Sequence, residues 1–258
     1  METMILPALI ALAGLAWGSF LNVVIYRVPR DMSLVRPPST CPNCRTRIKF
    51  YDNIPVVSYL VLRGKCRRCG GKISIAYPLV ELSTALAFLL LFHYYSWTLH
   101  FLASCLFASA LIAVCVIDLY HQIIPDAITL PGLVLALIYS NFRTDLGFRQ
   151  SLIGAAVGAG FLLFVYAAYF LVRRKEGLGM GDVTLMLLIG AYLGWLPTLL
   201  TLILASLCGA VIGILIISVG KKDMQYALPF GTFLAPAAFV ALLWGEKIIA
   251  AYLALFRR

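Results

Sequence analysis

Long apolar runs broken by short polar gaps organise this chain. Eight runs stand out, at 4–26, 78–96, 100–117, 127–142, 151–172, 183–198, 199–219 and 228–250. A helix needs about 20 apolar residues to cross a bilayer. The pattern therefore predicts an all-α membrane protein with about eight transmembrane helices. The fourth run is short, and the sixth and seventh are parted only by Leu196-Pro197-Thr198. In the fifth, Gly154, Ala155, Gly158 and Gly160 suit close helix packing. No strand pattern precedes them, so they do not read as a dinucleotide-binding loop. The first run lacks a basic flank and is too long for a signal-peptide core, so it reads as a retained span. One polar stretch, about 27–76, interrupts the series as a small insert. The chain then divides into an N-terminal region, 1–98, with two spans and the insert, and a six-span region, 99–258.

Composition agrees with this division. The chain is 62% hydrophobic and 12% charged, against about 25% charged in soluble domains. The net charge of +10 would raise nucleic acid as a partner in a soluble protein. No basic amphipathic helix or RNA-binding signature accompanies it, so nucleic acid is set aside. With eight spans, sixteen of the 21 Lys and Arg residues fall on one face: those of the insert, Arg173, Arg174, Lys175, Lys221 and Lys222. Arg143, Arg149, Lys247, Arg257 and Arg258 fall on the other. Basic loops stay in the cytoplasm, which places the insert there and the N-terminus outside.

The insert carries Cys41-Pro42-Asn43-Cys44 and Cys66-Arg67-Arg68-Cys69. Two such C-x-x-C knuckles at this spacing match a zinc ribbon. Four thiolates close a tetrahedral site, and nearby Lys and Arg favour the thiolate form. The segment is too short and polar to build its own core, so a structural Zn2+ would supply the folding energy. Disulfides are disfavoured in a reducing cytoplasm. A catalytic zinc needs an open position that four sulfurs do not leave. Cys105, Cys115 and Cys208 lie within spans and read as packing.

Two acids sit where apolar runs meet polar gaps. Asp118 closes the third run, and Asp182 opens the sixth after Gly179-Met180-Gly181. A carboxylate at membrane depth is costly unless paired or wetted, so each is a functional candidate. The topology puts both at one depth on the cytoplasmic side. That placement suggests a dyad that shares a proton and does acid–base chemistry. The bland readings are a hydrated helix end for Asp118 and a helix N-cap for Asp182. Helix dipoles disfavour an anion at a C-terminus and favour one at an N-terminus. On the helices that carry them, Asp118 is then the more readily protonated partner. Asp126 reads as the cap of the fourth span, and Asp223 as a solvated loop residue.

These residues resemble the bacterial type IV prepilin peptidases, of the Gly-x-Gly-Asp aspartic protease type. The likeness runs nearly end to end. It comprises Gly18-Ser19-Phe20-Leu21-Asn22-Val23-Val24-Ile25-Tyr26-Arg27, the paired cysteine knuckles, and Tyr77-Pro78-Leu79-Val80-Glu81-Leu82. Asp118 with Ile124-Pro125-Asp126, and Gly179-Met180-Gly181-Asp182, complete it. The resemblance implies an aspartic endopeptidase of the bacterial inner membrane with Asp118 and Asp182 as its catalytic pair. It implies cleavage of the short basic leaders of prepilins or type II secretion pseudopilins, after glycine, on the cytoplasmic face. It also implies N-methylation of the new terminus with S-adenosylmethionine, in which Glu81 is a candidate participant. The chain departs from many relatives in having Ala76, not Arg, before Tyr77.

Two rival classes fit parts of the pattern. An ion-coupled transporter also keeps intramembrane acids, but near the midplane and within internal repeats. A zinc-ribbon membrane scaffold would not depend on either aspartate.

Overall fold

The computed structural model describes residues 2–174, 179–219 and 228–255. Lys175, Lys221, Lys222, Asp223, Arg257 and Arg258 lie outside the described residues. The described chain is helical: α1 (Glu2–Arg27), α2 (Val57–Val61), α3 (Ala76–Tyr95), α4 (Leu99–His121), α5 (Asp126–Ser140), α6 (Gly147–Arg173), α7 (Met180–Leu193), α8 (Trp195–Ser218) and α9 (Gly231–Leu255). Apart from the five-residue α2, these are eight apolar helices at the eight expected places.

Six of the eight, α1, α3, α4, α6, α8 and α9, are long and apolar enough to cross a membrane. The other two, α5 and α7, have 15 and 14 residues. At about 1.5 Å per residue each reaches about 22 Å, short of a hydrocarbon core of about 30 Å. The break between the sixth and seventh runs also differs from expectation. It falls at Gly194, whose φ of +79° suits glycine. Pro197 lies inside α8, at its third residue. A missing N–H breaks no helical bond in a first turn, so the proline does not part the helices there.

The chain forms two compact units, Met1–Ala113 and Val114–Arg258, with the boundary inside α4. In the first unit α1 packs along α3. The approach is close because α1 presents glycines. A Cβ on Gly14 would lie 2.6 Å from Ala85 Cα, and one on Gly18 would lie 2.7 Å from Glu81 Cα. The Trp17 indole N–H donates to Ser109 Oγ at 2.9 Å and ties α1 to α4. The insert is fastened by buried Arg27, which donates to the carbonyls of Ser33 (2.7 Å) and Pro37 (2.6 Å).

In the second unit α7 is the central element. All ten residues from Asp182 to Leu193 that the helix buries include Leu185, Met186 and Ile189, which are fully enclosed. It packs against α5, α6, α8 and α9. The α6–α7 crossing is glycine on glycine. A Cβ on Gly154 would fall on the Gly190 carbonyl oxygen, and one on Gly190 on that of Gly154. Ser151 Oγ donates to the Ala191 carbonyl at 2.5 Å across the same seam. At the same end of α7, Arg143 donates to the Tyr192 carbonyl at 2.7 Å and packs over the rings of Tyr139 and Tyr192.

Gly154→Ala and Gly190→Ala each place a methyl against backbone that cannot rotate away. Each is expected to cost about 1–3 kcal/mol of stability, the usual range for overpacking, read as a lower unfolding temperature in detergent. Gly160→Ala meets open space and should leave that temperature unchanged. Equal behaviour of all three would show that the seam is not tight.

Candidate active site and metal centre

Asp118 stands in the last turn of α4, and its side chain reaches the start of α9. Its Oδ2 accepts the Thr232 backbone N–H at 2.8 Å and the Thr232 hydroxyl at 3.2 Å. The first N–H groups of a helix have no partner within it, so an acid there meets both free donors and the positive dipole end. Asp182 is the third residue of α7, three beyond its N-cap Gly179. The N-cap position, the bland alternative for Asp182, is taken by Gly179, and the acid turns back toward the Gly179 backbone. Both carboxyls are buried, 4% and 8% exposed. Asp182 lies within electrostatic range of Asp118.

This arrangement alters the expected asymmetry between the two acids. Considering only the carrying helices, Asp118 sits at a C-terminus and Asp182 at an N-terminus. In the structure each side chain faces an N-terminus, Asp118 that of α9 and Asp182 that of α7. The donors from α9 offset what the end of α4 costs Asp118.

Ile124 fills the space around them. A Cβ on Gly181 would lie 2.8 Å from Ile124 Cβ, and one on Gly231 would lie 2.7 Å from Ile124 Cδ1. The isoleucine side chain therefore touches the first turns of both α7 and α9. Asp126 does not cap α5. Pro125 holds the N-cap position without a side-chain bond, and Asp126 is the first helical residue. Gly231 and Thr232 carried no signal in the sequence, since neither is titratable and both begin an ordinary apolar run.

Glu81 belongs to the first unit, in the second turn of α3. It is 8% exposed, and its Oε2 accepts the Val56 backbone N–H at 2.7 Å. Val56 has φ +59°, an outlier for a β-branched residue. Strain of that kind persists only where neighbouring contacts enforce it, and the Glu81 bond is one such contact. Glu81 lines a cavity of about 790 Å³ with Ser19, Asn22, Tyr26, Asp52 and Tyr77. That volume lies within the range of small-ligand sites, about 300–1,000 Å³.

The four expected cysteines converge. Each of Cys41, Cys44, Cys66 and Cys69 offers a sulfur within 4.8 Å of the other three. Cys41 and Cys69 sulfurs are 3.9 Å apart, close to the roughly 3.8 Å edge of a tetrahedron with Zn–S bonds of about 2.3 Å. The two knuckles repeat one another. Cys41 N–H donates to Thr46 O and Arg45 N–H to Cys41 O; Cys66 N–H donates to Gly71 O and Gly70 N–H to Cys66 O. Arg45 and Gly70 both have positive φ. Thr46, through its hydroxyl and then its backbone, pulls the Cys44 thiol down to about 6. The backbone groups of Cys69 and Arg68 lower Cys66 likewise. These donors favour the thiolate, the form that ligates metal, at Cys44 and Cys66. Of the remaining cysteines, Cys105 is buried as expected, whereas Cys208 is exposed on α8.

Comparison with known proteins bears on both units. The family described as bacterial peptidase A24 N-terminal domain matches residues 12–95. The type IV leader peptidase family matches residues 105–214. A protein of Pseudomonas putida named prepilin leader peptidase/N-methyltransferase is 39% identical, over 97% of this chain and 94% of its own length. One of the same name from Stutzerimonas stutzeri is 40% identical, over 93% and 91%. Another, from Pseudomonas aeruginosa, is 39% identical, over 94% and 91%. No solved structure matches the chain.

Protein purified without chelator is expected to carry about one metal ion per chain, as a closed four-sulfur site does. Cys44→Ser should lower that content severalfold and make the insert sensitive to protease. Full metal content in the Cys44→Ser protein, by elemental analysis, would dismiss the four-sulfur site.

Proposed function

Because the chain belongs to the type IV leader peptidase family, we propose that it is a membrane aspartic endopeptidase with Asp118 and Asp182 as its catalytic pair. It removes the basic leader of type IV prepilins or type II secretion pseudopilins after glycine, and then N-methylates the new N-terminus. The observation that carries the reading is the convergence of two buried acids, from the end of α4 and the start of α7. The distribution of basic residues supports an inner-membrane protein with this site at the cytoplasmic face.

The chemistry follows from the groups. One carboxylate, ionised, takes a proton from water. The other, protonated, donates to the scissile carbonyl oxygen. The water oxygen bonds to the carbonyl carbon, and the amine leaves with a proton from the dyad. Close carboxyls titrate as a unit, so one shared proton serves both roles. No acyl-enzyme is formed. The hydrophobic segment of the substrate supplies the natural contact with the spans, since a basic leader gains nothing from a basic surface. A transporter would not need two buried acids at neighbouring helix ends, and a scaffold would not need them at all.

Cys41, Cys44, Cys66 and Cys69 would hold Zn2+, which closes the insert as a structural cross-link. S-adenosylmethionine suits the cavity beside Glu81 in volume, and when bound it supplies the methyl group. Glu81 would hold one wall of that cavity through the Val56 N–H and present carboxylate charge to a cationic ligand. The region 1–98 then serves methyl transfer, and 99–258 serves hydrolysis.

With a prepilin as substrate, Asp118→Asn and Asp182→Asn should each lower the cleavage rate by about 10²–10⁴-fold, the range for a lost acid or base. A size shift at the wild-type rate with either variant rules out the dyad. Glu81→Gln should leave cleavage within about twofold while methyl transfer from a labelled donor falls about tenfold or more, as for a lost bond to a charged group. Unaltered labelling in that variant would remove Glu81 from the methyl-transfer site.

A further inference from the structure

We infer that Gly231 is a positioning residue for the peptidase reaction, because the absence of its side chain lets the first turn of α9 seat the Asp118 carboxylate. The inference rests on Asp118 being catalytic, and adds α9 to the two elements that carry the acids. A Cβ on Gly231 would lie 2.9 Å from Asp118 Oδ2, 3.3 Å from its Cγ and 2.7 Å from Ile124 Cδ1. No backbone atom is among these nearest neighbours. The obstructing atoms are the far ends of two side chains, which move at little cost. An added methyl would therefore be accommodated by shifting the carboxylate and the isoleucine tip, with the helices left in place.

The Thr232 N–H and hydroxyl that hold Oδ2 remain on the next residue, so the displaced carboxylate loses its seat without losing its donors' location. Catalytic groups misplaced by about 1 Å lose about 10²-fold in rate. In the proposed reaction the substrate binds through its apolar segment and not through this carboxylate. The consequence is a folded protein that binds normally and turns over slowly.

The same crowding offers a second, structural explanation that can be separated. If the harm came from Ile124, trimming it to valine would remove Cδ1 and relieve it. If it comes from Asp118, that trimming leaves the 2.9 Å contact in place.

The experiment follows prepilin cleavage by the full-length protein in detergent, with unfolding temperature measured in parallel. Gly231→Ala should lower kcat about tenfold to a hundredfold, with KM within twofold and the unfolding temperature within the wild-type range. Ile124→Val in that background should not restore kcat. Wild-type turnover by Gly231→Ala overturns the proposal. So does recovery of turnover in the double variant, or a loss of turnover that follows a loss of stability. Asp118→Asn run alongside keeps the two readings apart. Its full activity would defeat the catalytic pair itself, whereas an inactive Asp118→Asn with an unimpaired Gly231→Ala defeats only the seat.

Discussion

A carboxylate surrounded by apolar side chains must find hydrogen-bond donors or lose its charge. The second unit of this protein meets that demand with helix ends. Asp118 draws on the free N–H groups at the start of α9, and Asp182 stands in the first turn of α7. Every donor there is main chain or a short hydroxyl already fixed by the fold. Such donors would need no reorganisation when charge moves during the proposed reaction, which is the condition for effective electrostatic catalysis. Lys or Arg beside the acids would hold both as anions and defeat the sharing of a proton that the proposed reaction needs.

Glycines make that convergence possible. Helix ends can face one another only if backbones approach closely, and in lipid the drive to do so is packing, not exclusion of water. Gly154 and Gly190 bring α6 against α7; Gly181 and Gly231 admit Ile124 between the starts of α7 and α9. In the first unit Gly14 and Gly18 do the same for α1 on α3, at the turn that carries Glu81.

How much of this was legible in the sequence depends on the kind of signal. The eight apolar helices follow from hydropathy because lipid enforces it residue by residue. The cysteine knuckles are equally plain, since C-x-x-C at this spacing suits few purposes other than metal. Asp118 and Asp182 stand out because acids are rare in apolar runs. The role of the α9 start does not, for Gly231 and Thr232 act through position and not through composition. The break at Gly194 was hidden by Pro197, a stronger punctuation mark that a first helical turn tolerates. The state of Asp118 could not be judged from α4 alone, because the helix that matters to its charge lies 114 positions on in the chain.

The shortness of α5 and α7 belongs to the same design. A helix of 14 or 15 residues falls about 8 Å short of the hydrocarbon thickness. That shortfall must appear at one end or the other. The starts of α5 and α7 both adjoin Ile124, through Pro125 and through Gly181. The opposite end of α7 is closed by Tyr192 and Arg143. A deficit at the acid-bearing end would recess the proposed dyad from a full-length span, and the peptidase reaction would then need the buried acids to be opened to water and an extended peptide. Hydrolysis needs both at once: a peptide bond released from helical hydrogen bonding, and a water molecule to attack it.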